Sequence, residues 1–434
     1  MKPVNVGICG LGTVGGGTFN VLQRNAAEIA RRAGRGIEVG HIASRHINPA
    51  CDVGDTPVTD DVFAVVNNPD IDIIVELIGG YTVAREVVMQ AIANGKHVVT
   101  ANKALIAVHG NEIFQAASDK GVMVAFEASV AGGIPIIKAI REGLAANQID
   151  WVAGIINGTG NFILTEMREK GRTFDDVLAE AQALGYAEAD PTFDVEGTDA
   201  AHKLTILASI AFGIPLQFDK AYTEGITRLT TADVNYAETL GYRIKHLGIA
   251  RRTEQGVELR VHPTLIPADR LLANVNGVMN AVMVQGDAVG PTLYYGAGAG
   301  AEPTASAVVA DICDVVRTLT SDPNNRVPHL AFQANALSDH PVLPVDEVDT
   351  AYYLRLQAQD QPGVLAKVAT ILSERGINIE SIMQMEAEAQ GGLVPMILLT
   401  HRVKEASMNV AIADIEDLED IAGPIMRIRV EQLN

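Results

Sequence analysis

Residues 181–203, AQALGYAEADPTFDVEGTDAAHK, hold the densest group of side chains able to do chemistry in this 434-residue chain. Glu188, Asp190, Asp194, Glu196 and Asp199 stand there with His202 and Lys203, between two strongly apolar helical patterns. Leu184-Gly185-Tyr186 and Glu196-Gly197-Thr198 bend the stretch, and Pro191 stiffens its middle. Asp199 and Lys203 lie four apart where a helix begins, so they share one face. Five acids and a lysine beside a cofactor-binding domain read as a polar cage for a substrate. The plain alternative is a solvated acidic loop whose Asp199–Lys203 pair is worth a few tenths of a kcal/mol.

The cofactor domain is legible at the other end of the chain. VNVGIC at 4–9 runs into Gly10-Leu11-Gly12-Thr13-Val14-Gly15 and a helical pattern from Gly16 to about Ala33. A strand, G-x-G-x-x-G and a helix in that order form the dinucleotide fingerprint. The first glycine permits the turn, the second lets backbone approach a pyrophosphate, and the third seats the helix. The free N–H groups of the helix start face the anion. After the second strand, Ile37 to Ala43, an NAD-selective site would carry an acid for the ribose hydroxyls. Arg45 stands there instead, beside His46, and suits a 2′-phosphate, so NADP(H) is preferred with NAD(H) as the alternative.

Strands 72–78, 96–100 and 122–126 alternate with helices 82–94 and 104–119, as in a parallel sheet covered on both faces. Ligands bind at the carboxyl ends of such strands, where Thr100-Ala101-Asn102-Lys103 lies; Lys103 would meet both substrate and nicotinamide. Glu127 followed by Ala128-Ser129-Val130-Ala131-Gly132-Gly133-Ile134-Pro135 could hold a hard cation through oxygens, or serve as a plain hinge. From 136 the pattern changes to a helix at 136–146, helices ending at 170, 184 and 212, and strands at 242–250, 256–263 and 278–285 in a mixed sheet. A glycine-rich loop at 294–303 precedes a helix from 304 to about 320 that packs back on the first domain. The boundaries are 1–135 for the dinucleotide domain, completed by 304–320, and 136–303 for the catalytic and dimerisation domain. Residues 321–349, with four prolines, form a linker, and 350–434 form a βαββαβ ferredoxin-like module.

The totals exclude several classes. A net charge of −20 argues against a nucleic-acid partner. Cys9, Cys51 and Cys313 have neither metal nor disulfide spacing. The first residues enter a strand directly, and no apolar run nears the roughly 20 residues of a membrane span. A soluble cytoplasmic protein is the expectation.

The chain resembles a bacterial homoserine dehydrogenase of the single-activity type with a C-terminal ACT domain. Ala181, Gly185, Tyr186, Asp190, Pro191, Asp194, Gly197, Asp199 and Lys203 fall at the family signature's spacing. GLGTVG at 10–15, TANK at 100–103, EASVAGGIP at 127–135, NGTGNFIL at 157–164 and GAGAGAEPTASAVVAD at 296–311 agree with it. The resemblance implies that Gly10, Leu11, Gly12, Thr13, Val14 and Thr100 border the cofactor, with Arg45 at the 2′-phosphate and Gly300 on the nicotinamide side. It implies that Gly185, Glu188 and Asp199 hold L-homoserine or L-aspartate 4-semialdehyde. Lys203 would transfer the proton beside Lys103, with Asp194 orienting both lysine and substrate. Glu127 with the carbonyls of Val130, Gly132 and Ile134 matches a monovalent-cation site, usually sodium. Gly363 and Asn378 match the place where an amino-acid effector such as threonine meets an ACT domain. A homodimer or homotetramer would follow from pairing of the second sheet and of ACT domains.

In the implied reaction hydride transfer belongs to the cofactor, and the protein supplies position and charge. An ammonium can stabilise and protonate the aldehyde oxygen as it gains charge. Lysine has an ordinary pKa of about 10.4, so Lys203 needs burial or another cation to serve as a base. Three other readings remain: a dehydrogenase of another amino acid, a non-catalytic sensor, and a C-terminal module that only dimerises. Aspartate semialdehyde dehydrogenase would need a nucleophilic cysteine, whereas Cys9 falls in a strand and Cys313 in a helix.

Overall fold

The computed structural model describes residues 2–384 and 392–433. Its first sheet has six parallel strands: β1 (Val4–Cys9), β2 (Ile37–Ala43), β3 (Val58–Thr59), β4 (Ile73–Glu76), β5 (His97–Thr100) and β6 (Val124–Ala125). They are ordered β3-β2-β1-β4-β5-β6. The β1, β4 and β5 segments are almost wholly buried, because helices cover both faces. Chain order reverses between β1 and β4, which opens a crevice at their carboxyl ends.

The helices around this sheet are α1 (Thr13–Arg24), α2 (Ala26–Ala33), α3 (Val62–Val66), α4 (Val83–Ala93) and α5 (Lys103–Lys120). The single helix expected from Gly16 to Ala33 is therefore two helices and starts three residues earlier. Asn25 departs from helical geometry (φ −105°, ψ 16°) and separates α1 from α2. Asparagine is a poor helix-interior residue because its amide competes for backbone groups. The strand expected over 122–126 shrinks to Val124–Ala125.

The second unit opens with α6 (Ile136–Lys138), which continues as one π turn, Ala139–Gly143, in place of the regular helix expected to 146. Then come β7 (Ile149–Ile155), α7 (Gly158–Lys170), α8 (Phe174–Ala183), the short α9 (Thr192–Val195) and α10 (Thr198–Phe212). β8 (Tyr222–Thr223), α11 (Thr231–Thr239), β9 (Tyr242–Arg252), β10 (Val257–Pro267), β11 (Met279–Gly286) and β12 (Gly290–Ala297) follow. The stretch expected to be a glycine-rich loop at 294–303 is split: its first four residues end β12, whose Thr292, Leu293, Tyr294 and Tyr295 suit a strand and pair with β11, and its last three begin the next helix. Only Gly298–Gly300 is loop, before α12 (Ala301–Thr318) packs back against α1.

The C-terminal module is βαββαβ: β13 (Asp349–Gln359), α13 (Val364–Glu374), β14 (Ile379–Gln384), β15 (Leu393–Thr400), α14 (Glu405–Glu416) and the final strand. A two-residue strand, β16 (Val403–Lys404), precedes α14, so the final strand is β17 (Ile421–Val430). β17 pairs in parallel with β10 through Thr264–Arg429 and Leu265–Val430. The two units therefore share one eleven-stranded sheet, with its main path β12-β11-β7-β9-β10-β17-β13-β15-β14. Alternation along β13 divides its faces. Tyr352 packs with the module's own helices, while Tyr353 packs on α7, α8 and α11.

Candidate active site

α10 is buried from Asp199 to Phe212, and its first turns carry Asp199 and Lys203 inward. Gly197 makes the entry with φ +88°, and a Cβ there would press on Val261 and His246 at 3.1 and 3.2 Å. Asp199 Oδ2 accepts from Lys203 Nζ at 2.6 Å and from Asn157 Nδ2 at 2.8 Å. Its Oδ1 pairs with Lys103 Nζ at 2.8 Å. Asn157 Nδ2 also donates to Asp194 Oδ1 at 2.8 Å, and Lys203 Nζ donates to the Ile156 carbonyl at 2.7 Å. Lys203, Lys103, Asp194 and Asp199 are thus brought into one node. Asp199 is 3 % and Lys203 9 % exposed, which excludes a solvated surface pair.

Three elements converge on this node. β7 delivers Asn157 at its carboxyl end, and Asn157 caps α7 by accepting from Gly160 N at 2.8 Å. β5 delivers Lys103 as the first residue of α5, after Asn102 caps that helix through Leu105 N. Thr100 does not offer its hydroxyl to the crevice: it is buried and donates to Glu76 Oε2 at 2.6 Å. Glu76 Oε1 in turn accepts from Ile78 N and Gly79 N, tying the loops after β4 and β5 together. Asn157 and Glu76 were not singled out in the sequence as site residues; the signal available was a polar residue ending each apolar strand.

The charges at the node oppose one another. Burial raises the pKa of the Asp199 carboxyl, but the two ammonium groups outweigh that and hold it well below the usual range. Burial lowers the Lys203 pKa, Asp199 works against this, and the nearby Lys103 cation adds to the lowering. Lys103, about a third exposed, also feels burial; Asp199 overrides it and keeps the ammonium charged. Burial raises Asp194. His202, between Phe193 and Phe218, is pushed down to about 4 by burial and is neutral.

Gly185 and Glu188 lie outside this buried core. Gly185 turns the chain at φ +76° on an exposed segment, and Glu188 is exposed with its carbonyl held by Gln182 Nε2. The Glu188 charge still acts on Lys103 through space and favours its ammonium form. Asp199 has both oxygens engaged, so its geometry is that of a positioning group for two lysines.

Gly10, Leu11, Gly12 and Thr13 line a cleft of about 770 Å³ together with Arg45 and His46. Gly10, at φ +102°, lies against Leu77, and a Cβ on Gly15 would collide with the Gly10 carbonyl at 2.0 Å. Gly12 alone of the three faces open space, as a residue beneath a phosphate should. Leu11 is buried and can offer only backbone, Val14 is half-buried, and Arg45 is exposed at the rim. Asn48, not marked as a ligand in the sequence, holds the glycine loop by donating to the Gly12 carbonyl at 3.1 Å.

The turn after β6 is built differently from a side-chain cage. The Glu127 carboxylate accepts from Ile137 N and Lys138 N at 2.9 and 2.8 Å, and burial pushes its pKa up to about 7. Ala131 and Gly132 adopt φ +54° and +45°. The carbonyls of Val130 and Gly132 are on buried residues and accept no hydrogen bond among the described residues, whereas that of Ile134 accepts from Ile136 N. Two orphaned carbonyls suit a backbone-bound hard cation. Gly300 lies across from this turn, where the Gly133 amide donates to Ala297 O at 3.0 Å.

Gly363 and Asn378 are not brought together within the chain. Gly363 precedes α13 and Asn378 follows its far end. Eleven helical residues set them about 16 Å apart, so one effector could touch both only with a second copy present.

Residues 10–127 match the family profile described as homoserine dehydrogenase, NAD binding domain; residues 135–313 match homoserine dehydrogenase, and 352–420 the ACT domain. The chain is 80% identical to a homoserine dehydrogenase of Pseudomonas aeruginosa and 56% identical to one of Neisseria gonorrhoeae, in both cases over all of each chain. It is similar to the crystal structure of a homoserine dehydrogenase from Thiobacillus denitrificans, with 66% identity, a TM-score of 0.96, and 100% and 99% of the two chains covered. A hyperthermophilic archaeal homoserine dehydrogenase solved in complex with NADPH matches 72% of this chain and 98% of its own, at 27% identity and a TM-score of 0.62.

Proposed function

The chain belongs to the homoserine dehydrogenase family of NAD(P)-dependent oxidoreductases, and from that premise we propose that it interconverts L-aspartate 4-semialdehyde and L-homoserine with NADP(H). The Lys103–Asp199–Lys203 node at the carboxyl end of the cofactor sheet carries this reading. Bound dinucleotide supplies or accepts the hydride. Lys203 Nζ uses two donors on Asp199 and Ile156 O and keeps the third for the substrate oxygen. In reduction that ammonium stabilises the oxygen as it becomes an alkoxide and then protonates it. In oxidation its lowered pKa lets it take the proton back. Lys103 steadies the same charge from the solvent side, and the exposed Glu188, whose charge reaches Lys103, meets the substrate ammonium.

Arg45 at the cleft rim supports NADP(H) over NAD(H). The orphaned Val130 and Gly132 carbonyls support a bound monovalent cation, sodium in our reading. Exposed Leu271, Val278, Val289 and Tyr295 at the β11–β12 end support a homodimer. The C-terminal module supports feedback by an amino acid of the threonine, methionine and isoleucine branch, in the cytoplasm.

The test is spectrophotometric turnover of homoserine with NADP, and of other 2-amino alcohols as controls. Turnover only with another substrate would sink the assignment. Arg45→Ala should raise KM for NADPH about tenfold and leave that for NADH nearly unchanged. Glu188→Gln should raise KM for homoserine by about the same factor.

A further inference from the structure

A cavity of about 490 Å³ lies where the C-terminal half of α5 meets residues 323–337, and no group that takes part in the chemistry above lines it. The stretch expected to be a linker is pinned down here. Arg326 Nη1 donates to Gly121 O at 2.9 Å, and Val124 N donates to His329 Nε2 at 3.1 Å. The His329 ring stacks on Phe114 with centroids 4.9 Å apart, and Ser338 N donates to Gly213 O at 2.6 Å. The cavity is therefore built into the fold and is not a gap beneath a loose connection.

Phe114, Pro215, Pro328 and Leu330 give it apolar walls, and two polar groups on those walls are underused. The neutral His329 ring accepts at Nε2, so its proton sits on Nδ1, which donates to nothing among the described residues. Arg326 is half-buried. Beyond its bond to Gly121, its Nη2 makes one long bond to Ser321 O at 3.4 Å, and its buried Nε has no partner among the described residues. Asp322 favours the charged guanidinium through space but makes no ion pair with it among the described residues. A guanidinium drawn out of water without a carboxylate is destabilising, and a bound anion would offset that. None of the residues lining the cavity is acidic, so an ammonium carried into it would lose its water and gain no partner. The volume, the apolar walls and the few free donors are those of a small-molecule site.

We propose that this cavity binds an apolar monocarboxylate, its carboxylate on Arg326 Nη2 and His329 Nδ1 and its hydrocarbon body between Phe114, Pro215 and Leu330. The missing acid excludes the corresponding α-amino acids. The experiment is calorimetric titration of the full chain, saturated with NADPH to fill the dinucleotide cleft. The probes are 3-phenylpropanoate and 4-methylpentanoate, each beside its amino counterpart, phenylalanine or leucine. Ser118→Trp, which fills the cavity from the exposed face of α5, marks the binding that belongs to this site. Both carboxylates should bind, and Ser118→Trp should abolish that binding. Arg326→Gln should weaken it about tenfold or more, and the amino counterparts should bind there weaker by about the same factor. NADPH affinity, unchanged in both variants, shows that they are folded. If neither carboxylate binds, or if binding persists in Ser118→Trp, the site falls. If Arg326→Gln keeps full affinity, or the amino counterparts bind there as tightly, the assigned ligand class falls.

Discussion

Asp199 decides what both lysines can do, because one buried carboxylate divides its two oxygens between them. Lys203→Met should lower kcat by about 10²–10⁴, the usual contribution of a positioned proton-transfer group. Asp199→Asn removes the group that raises the Lys203 pKa, so that pKa should fall further. The ammonium needed for aldehyde reduction would then be lost at lower pH, and the basic limb of the kcat profile should move to lower pH. A limb that stays in place would exclude Lys203 as the titrating group. Asn157→Ala should lower kcat without moving the limb, since the amide carries no charge but links Asp194 to Asp199. The lysine and acids were legible at their spacing. Asn157 was not, because nothing in Asn-Gly-Thr-Gly says which carboxylates its amide will join.

Among elements, the start of α1 separates an open glycine from a packed one within a single glycine run. Gly12 has φ −72°, and a Cβ added there would meet no atom within 4 Å, whereas a Cβ on Gly17 would sit 2.4 Å from the Ala301 carbonyl oxygen of α12. Gly12→Ala should leave thermal stability unchanged and raise KM for NADPH. Gly17→Ala should instead destabilise by about 1–3 kcal/mol, the range for overpacking, as read from denaturant unfolding. Equal effects on stability would refute this division. The fingerprint itself was readable from its glycines, and the return of the helix after 300 to this domain was expected from its apolar face. That Gly17 exists to admit α12 depends on its contact with Ala301, far along the chain, which local pattern does not encode.

At the scale of the molecule, the C-terminus locks the module to the second unit. Glu431 Oε1 accepts from Arg260 Nη2 at 2.5 Å and its Oε2 from Arg251 at 2.9 Å, with Glu431 and Arg260 each 1 % exposed. Glu431→Gln leaves buried guanidinium charge underpaired and should cost about 3–5 kcal/mol in unfolding free energy. Acid should also destabilise the fold through buried histidines. Burial pushes His97 and His329 down to about 4, and they accept backbone N–H bonds from Met123 and Val124 that require neutral rings. Their folded pKa lies below the ordinary 6.5, so the unfolded chain binds more protons between pH 6.5 and 4. Stability is present above 6.5 and is lost as pH falls toward 4. Thermal unfolding midpoints should fall over that window, and less steeply in His329→Gln.

The sequence by itself determined most elements and the candidate site groups: apolar runs of strand length, a glycine fingerprint in its strand–helix setting, and a lysine one helical turn from an acid. These are local facts, set by backbone geometry and period. The tertiary structure decided the rest, since it depends on which distant groups share a buried space. It joined two sheets into one through β10 and β17, separated Gly363 from Asn378 by the length of α13, and consumed the Thr100 hydroxyl on Glu76. It also turned Asp199 from one acid among five into the buried counter-ion of two lysines, because only burial strips away the water that would otherwise screen them.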